Sequence, residues 1–274
     1  MQNANTLKKA LNTGSGVSFG AWQMLPGSYV SKAIAQAGYD WVLIDCEHGN
    51  IADNEMHHSV HAVAGCGASP IVRLPAMDSW MIKRALDAGA HGVLLPLLRT
   101  ADDARSIVQA CKFPPQGRRG FGSPFSMGAF HPRGDLSGLA YLENANDHIL
   151  TIVQIETQEA LANVDEIAKV DGIDVLFVGP FDLGNNIGHP IRGEFAPELK
   201  EAILKVQAAA RNAGKKTGIY CTDGKMAREY ADAGFQMISV VNDMTVLPTG
   251  MANALSIAKG TKQEAKGTAY GGTT

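Results

Sequence analysis

The stretch DAGAHGVLLPLL, residues 87–98, joins two kinds of sequence at Gly89. An amphipathic segment leads up to the glycine, and a short apolar run without polar alternation follows it. Glycine is favoured where a helix stops, because the residue just past the last turn commonly takes positive φ. A short, non-alternating run of Val, Ile and Leu is how a strand reads when both faces of a parallel sheet are covered. The same joint recurs in QAGYDWVLID at Gly38, GCGASPIVRLP at Gly67, KVDGIDVLFVGP at Gly172, NAGKKTGIYC at Gly214 and DAGFQMISVV at Gly234. Repeated helix–glycine–strand joints mean repeated αβ units.

Two more strands lack the glycine: VSFGAWQ at 17–23 and ILTIVQIE at 149–156. The series then predicts strands at 17–23, 41–47, 69–75, 92–98, 149–156, 174–182, 216–221 and 237–242. Helices fall near 28–37, 53–65, 78–88, 101–111, 157–169, 195–213, 223–233 and 246–258. Eight strands alternating with eight helices point to an α/β fold, the TIM (β/α)8 barrel, as a single domain over residues 1–274. A doubly wound open sheet would want a glycine-rich phosphate loop after its first strand, and GAWQMLPG is not G-x-G-x-x-G. Residues 112–140, rich in Gly, Pro and Arg, read as a long loop between strands four and five. Residues 260–274, polar and glycine-rich, read as a loose C-terminal tail.

Composition narrows the function. With 45% hydrophobic and 19% charged residues, the chain has the apolar content of a globular protein rather than a disordered one. A net charge of −3 gives no basic excess to neutralise phosphates, so no nucleic-acid partner is expected. Cys46, Cys66, Cys111 and Cys221 show no C-x-x-C spacing, which argues against a zinc site or a disulfide framework. No apolar run follows the first lysines, and none approaches the ~18 residues of a membrane span. The expected location is cytoplasmic, with no membrane partner.

In a barrel of this kind the site forms at the C-terminal ends of the strands. Polar groups close otherwise apolar runs there: Asp45, Cys46, Glu47 and His48 on strand two, and Arg73 on strand three. Gln154 and Glu156 do so on strand five, and Asp182 on strand six. Glu156 and Asp182 read either as carboxylate ligands for Mg²⁺ or Mn²⁺, or as caps of the helices that follow them. Arg73 reads as a carboxylate grip or as an ion-pair partner of Asp45 or Glu47. His48 is placed to shuttle protons, or is a solvated loop histidine. His57, His58 and His61 fall on one helix without a matching ligand set. No strand ends in Lys, which removes a Schiff-base route, and no G-x-S-x-G elbow is present. Cys46 and Cys221 read as small core hydrophobes, and GRRGFG at 117–122 as an anion loop or a basic turn.

The ordered motifs WVLIDCEHG, PIVRLP, LLPLLRTADDARSIVQACKFPPQGRRGFG, VQIET and FVGPFDLG resemble those of the HpcH/HpaI family of metal-dependent pyruvate aldolases. The resemblance spans roughly residues 15–258. It implies a class II aldolase, a lyase cleaving 4-hydroxy-2-oxo acids to pyruvate and an aldehyde through a metal-stabilised enolate. It implies Glu156 and Asp182 as ligands of Mg²⁺, alternatively Mn²⁺ or Co²⁺, and Arg73 beside the bound pyruvate. It implies His48 as the proton-transfer residue with Asp45 as its orienting neighbour, and Gln154, Gly179 and Pro180 as pocket lining. Asp87 matches an acidic residue that reaches an adjacent subunit's site in a homohexamer, a dimer of trimers with an exchanged C-terminal helix. Phe181, the segment GNNIGHPIRGEF and the loop SPFSMGAFHPRGD depart from the common pattern. A macrophomate-synthase-like oxaloacetate decarboxylase that forms carbon–carbon bonds is the alternative within this chemistry. A non-catalytic carboxylate-binding barrel is the alternative outside it, and a CoA-ester lyase would want a basic nucleotide surface that the sequence does not offer.

Overall fold

The computed structural model describes residues 1, 3–131 and 134–261. The tail expected at 260–274 therefore lies outside the described residues from 262 onward. The chain runs α1 Thr6–Leu11, β1 Ser18–Gln23, α2 Ser28–Ala35, β2 Trp41–Asp45, α3 Asp53–Gly65, β3 Ser69–Arg73, α4 Ser79–Ala88 and β4 Gly92–Leu95. It continues through α5 Ala101–Cys111, α6 Ser126–Phe130, α7 Gly138–His148, β5 Leu150–Ile155, α8 Gln158–Ala162, α9 Val164–Ala168 and β6 Val175–Val178. It ends with α10 Pro180–Asn186, α11 Pro197–Asn212, β7 Lys216–Tyr220, α12 Gly224–Asp232, β8 Met237–Asn242 and α13 Asp243–Ala258. The strands pair in parallel, each with the next, and β8 returns to β1 to close the barrel. This is the TIM barrel that the glycine joints predict. The glycines at all six joints carry φ between 70° and 100°, the left-handed region an L side chain avoids.

The strands are shorter than expected on the side that matters. β6 stops at Val178, because Gly179 turns the chain and Pro180 opens α10 as its first residue. Asp182 thus sits in the first turn of a helix, not on a strand. β2 stops at Asp45, so Cys46, Glu47 and His48 belong to the loop above it. The segment 112–140 is not wholly loop: α6 and the start of α7 fall within it.

Two apolar layers form. Trp41, Leu43, Ile71, Leu94, Ile152 and Phe177 fill the barrel interior. The alternate residues, such as Val42, Ile44 and Val72, pack outward against the helices. Gly20 and Gly218 leave room for the rings of Trp41 and Phe177, which a Cβ would meet at 2.1 Å and 2.4 Å.

The N-terminal end of the barrel is stopped by α1, whose Leu7 and Leu11 belong to the interior layer. Asn5 ties it down: Nδ2 donates to His91 O at 2.9 Å and His148 O at 2.8 Å, just below β4 and β5. Thr6 Oγ1 donates to Asp40 O at 2.6 Å, just below β2.

Candidate active site

Strand pleating places the site. Successive side chains of a strand alternate between faces. Leu43 faces the barrel interior, so Asp45, two residues on, faces it as well. The same step runs from Ile71 to Arg73, from Ile152 to Gln154 and Glu156, and from Phe177 to Gly179. All arrive at the C-terminal mouth, where the apolar filling ends.

Asp45 and Arg73 are direct cross-strand partners in the β2–β3 register. Arg73 grips Asp45 with two bonds, Nε to Oδ1 at 2.9 Å and Nη2 to Oδ2 at 2.6 Å. Trp22 Nε1 donates to Oδ2 at 3.0 Å, and the backbone N–H groups of Glu47 and His48 donate to Oδ1 at 3.0 Å and 3.3 Å. Burial pushes the Asp45 carboxyl up, but the Arg73 bonds and charge and the Trp22 N–H hold it below its ordinary range. Burial likewise opposes the charge on Arg73, and Asp45, Glu47 and Glu156 more than restore it. Arg73 Nη1 also lies 3.1 Å from Glu47 Oε2. Both roles the sequence left open for Arg73 are therefore structurally compatible: it is ion-paired, and it lines the mouth.

Glu156 is 1% exposed. Its Oε1 accepts the Leu97 backbone N–H at 2.9 Å, and its Oε2 accepts from Gln154 Nε2. Leu97 reaches this position with φ 58°, a left-handed backbone that costs an L residue roughly 1–2 kcal/mol. Burial, foremost, and the like charges of Asp182 and Glu47 push the Glu156 carboxyl up to about 7 against those two donors. Among the described residues, Gln154 Oε1 is buried with no hydrogen-bond partner. A Cβ on Gly179 would stand 2.7 Å from Glu156 Oε2 and 2.8 Å from Gln154 Nε2, so any side chain there would push the carboxylate and the amide aside.

Above these groups lies a cavity of about 180 Å³. Arg73, Gln154, Gly179, Pro180, Asp182 and His48 line it, alongside Trp22, Met24, Phe181 and Tyr220. Asp182 is exposed, and the His48 side chain is 61% exposed. Asp45 meets the backbone of His48, while the His48 ring nitrogen Nε2 lies 3.9 Å from Glu47 Oε1. Sequence reasoning missed Trp22, Met24 and Tyr220. Among the described residues, no group of three or more His, Cys, Asp or Glu side chains is arranged to hold a metal ion. Two hard oxygen donors, an orphaned amide oxygen and a carboxyl raised chiefly by burial and also by neighbouring negative charge still fit a cation that keeps water or substrate in its remaining positions.

Asp87 is not brought to this mouth. It lies on α4, where Oδ2 pairs with Lys83 Nζ at 2.7 Å and Oδ1 with Arg119 Nη2 at 3.1 Å. Cys46 and Cys221 have thiols pushed up to about 12, chiefly by burial, and are inert as nucleophiles. Among the described residues no helix is long and apolar enough to cross a membrane.

Comparison with known proteins agrees with this fold. The model of the HpcH/HpaI aldolase/citrate lyase family matches residues 19–248. A hydroxypyruvate/pyruvate aldolase of Roseobacter denitrificans is 35% identical over 247 residues, covering 89% of this chain and 93% of its own. A 2-dehydro-3,6-dideoxy-6-sulfogluconate aldolase of Pseudomonas putida is 37% identical over 256 residues, covering 92% and 96%. Among solved structures, an HpcH/HpaI aldolase/citrate lyase family protein from Burkholderia cenocepacia J2315 superposes with a TM-score of 0.83 at 36% identity, covering 93% of this chain and 99% of its own. With the barrel fold and these matches in agreement, the chain belongs to the HpcH/HpaI aldolase/citrate lyase family.

Proposed function

We propose that the chain is a divalent-metal-dependent aldolase that cleaves 4-hydroxy-2-oxo acids to pyruvate, or a close analogue, and an aldehyde. The observation that carries this reading is Glu156, a carboxyl 1% exposed at the barrel mouth, held by Leu97 N–H and Gln154, with Asp182 and Glu47 near enough to add like charge. Such a cluster is relieved by a cation. Glu156 and Asp182 would hold Mg²⁺, with Mn²⁺ or Co²⁺ as alternatives. When bound, the metal supplies a Lewis acid beside the keto oxygen of the substrate.

The chain's own residues do the rest. Arg73, locked by two bonds to Asp45, presents fixed positive charge where negative charge develops on the ketoacid. His48 at the rim takes the proton of the C4 hydroxyl. The C3–C4 bonding pair passes to the ketoacid fragment, C4 leaves as the aldehyde carbonyl carbon, and protonation at C3 completes pyruvate. Asp87, remote from this chain's own mouth, would serve an adjacent subunit of the hexamer. The exposed apolar residues Met244, Val246, Leu247, Met251 and Leu255 on α13 support association of copies.

The test is pyruvate release from a 4-hydroxy-2-oxo acid with Mg²⁺, Mn²⁺ or Co²⁺ and with a chelator. Glu156→Gln is expected to lose metal-dependent turnover by about a hundredfold or more while keeping its circular dichroism. Normal turnover in that variant, or a wild type indifferent to the chelator, would falsify the ligand assignment.

A further inference from the structure

Asn242 closes β8 and is the N-cap of α13. Its Oδ1 accepts the backbone N–H of Thr245 at 2.8 Å. A cap must present an acceptor there, which settles which way the amide points: the other end is the NH₂. That Nδ2 lies 2.6 Å from the hydroxyl oxygen of Tyr220. An amide NH₂ only donates, so the phenol oxygen accepts, and its own proton is left to seek another acceptor. Among the described residues the Tyr220 hydroxyl makes no second hydrogen bond.

Tyr220 stands two residues beyond Gly218 on β7, on the interior face, and lines the cavity with His48, Arg73 and Asp182. Its oxygen feels the charges of both Arg73 and Asp45. Its ring is held edge-on by Trp22 at 5.1 Å and by Phe181 at 6.2 Å, so the hydroxyl is positioned rather than free to swing. Burial keeps the phenol above its ordinary value of 10.0, so the proton stays on through the neutral range. β7 lies four strands round from β3, across the barrel from Arg73. The groups assigned to the ketoacid, Arg73, Glu156 and Asp182, stand at the ends of β3, β5 and β6, which leaves Tyr220 facing the other fragment.

We infer that Tyr220 is a specificity-determining donor, aimed by Asn242, that selects an aldehyde carrying an oxygen beyond its reacting carbon over a plain aliphatic one. This rests on the aldolase reading and names the substrate class of the same site. Such a bond between neutral groups discriminates by about three- to tenfold.

Two variants test it in the aldol direction, with pyruvate and a divalent metal supplied and kcat/KM measured for glyceraldehyde and for propanal. Tyr220→Phe removes only the hydroxyl. Asn242→Asp keeps a capping oxygen for Thr245 but turns the donor into an acceptor, which captures the phenol proton. The ratio of glyceraldehyde to propanal is expected to fall about three- to tenfold in Tyr220→Phe and in the same direction in Asn242→Asp. A ratio unchanged in either variant overturns the inference and leaves the aldolase reading standing. A wild type inactive on both aldehydes overturns the aldolase reading and this one with it.

Discussion

Gly179 sets the spacing of the mouth at the scale of a single residue. Its φ of −97° is open to any residue, so its role is space rather than backbone freedom. A methyl there would press on Glu156 Oε2 at 2.7 Å and Gln154 Nε2 at 2.8 Å. If Glu156 holds the metal as proposed, Gly179→Ala is expected to weaken Mn²⁺ binding by about tenfold or more, as displaced neighbours of a ligand typically do. Titration calorimetry would measure this, with the thermal midpoint moving by only a few degrees. Unchanged affinity would mean that Glu156 is not the ligand. Asp45, Arg73, Gln154 and Glu156 were legible as polar groups closing apolar runs. Tyr220 obeys the same period of two, from Gly218, but a tyrosine at the end of GIYC passes for one more apolar residue. Leu97 carried no mark at all, because nothing in a leucine announces φ of 58°.

Among the elements, α1 shows how local sequence falls short. TLKKAL is six residues, too short for a 3.6-residue period to show, and what holds it is tertiary. Leu7 is wholly buried in the barrel interior, and Asn5 bridges the chain just below β4 and β5. Leu7→Ala is expected to destabilise the fold by roughly 2–5 kcal/mol, read from urea unfolding. A loss under 1 kcal/mol would show that α1 merely rests against the barrel. The barrel itself was legible because each αβ unit repeats a glycine joint. The strand ends were not, since polar residues such as Glu47 and Asp182 extend an apolar run on paper after the ladder has lost its partners. α6 was hidden in the Gly- and Pro-rich segment, where its five residues SMGAF are anchored from outside by Ala129 O, which accepts from His91 Nε2 at 3.0 Å.

The stability of the whole molecule is tied to pH through His91. The ring is buried between Ser69 Oγ at 3.1 Å and Ala129 O at 3.0 Å and stacks on Phe130 at 4.2 Å. Burial lowers its pKa from 6.5 to about 4. The unfolded chain takes up that proton first, so the contribution is complete above pH 6.5 and is lost as pH falls towards 4. The loss is roughly 3 kcal/mol, and His91→Gln is expected to flatten this acid limb in urea midpoints recorded against pH. An identical limb in the variant would exclude His91 as its source. The stopper formed by α1 at the lower end has a different consequence, for traffic. A tunnel would let two fragments part in opposite directions; a cul-de-sac does not. On the proposed aldolase reading, whatever settles deepest enters first and departs last, so a ketoacid held by Arg73 would leave after the aldehyde.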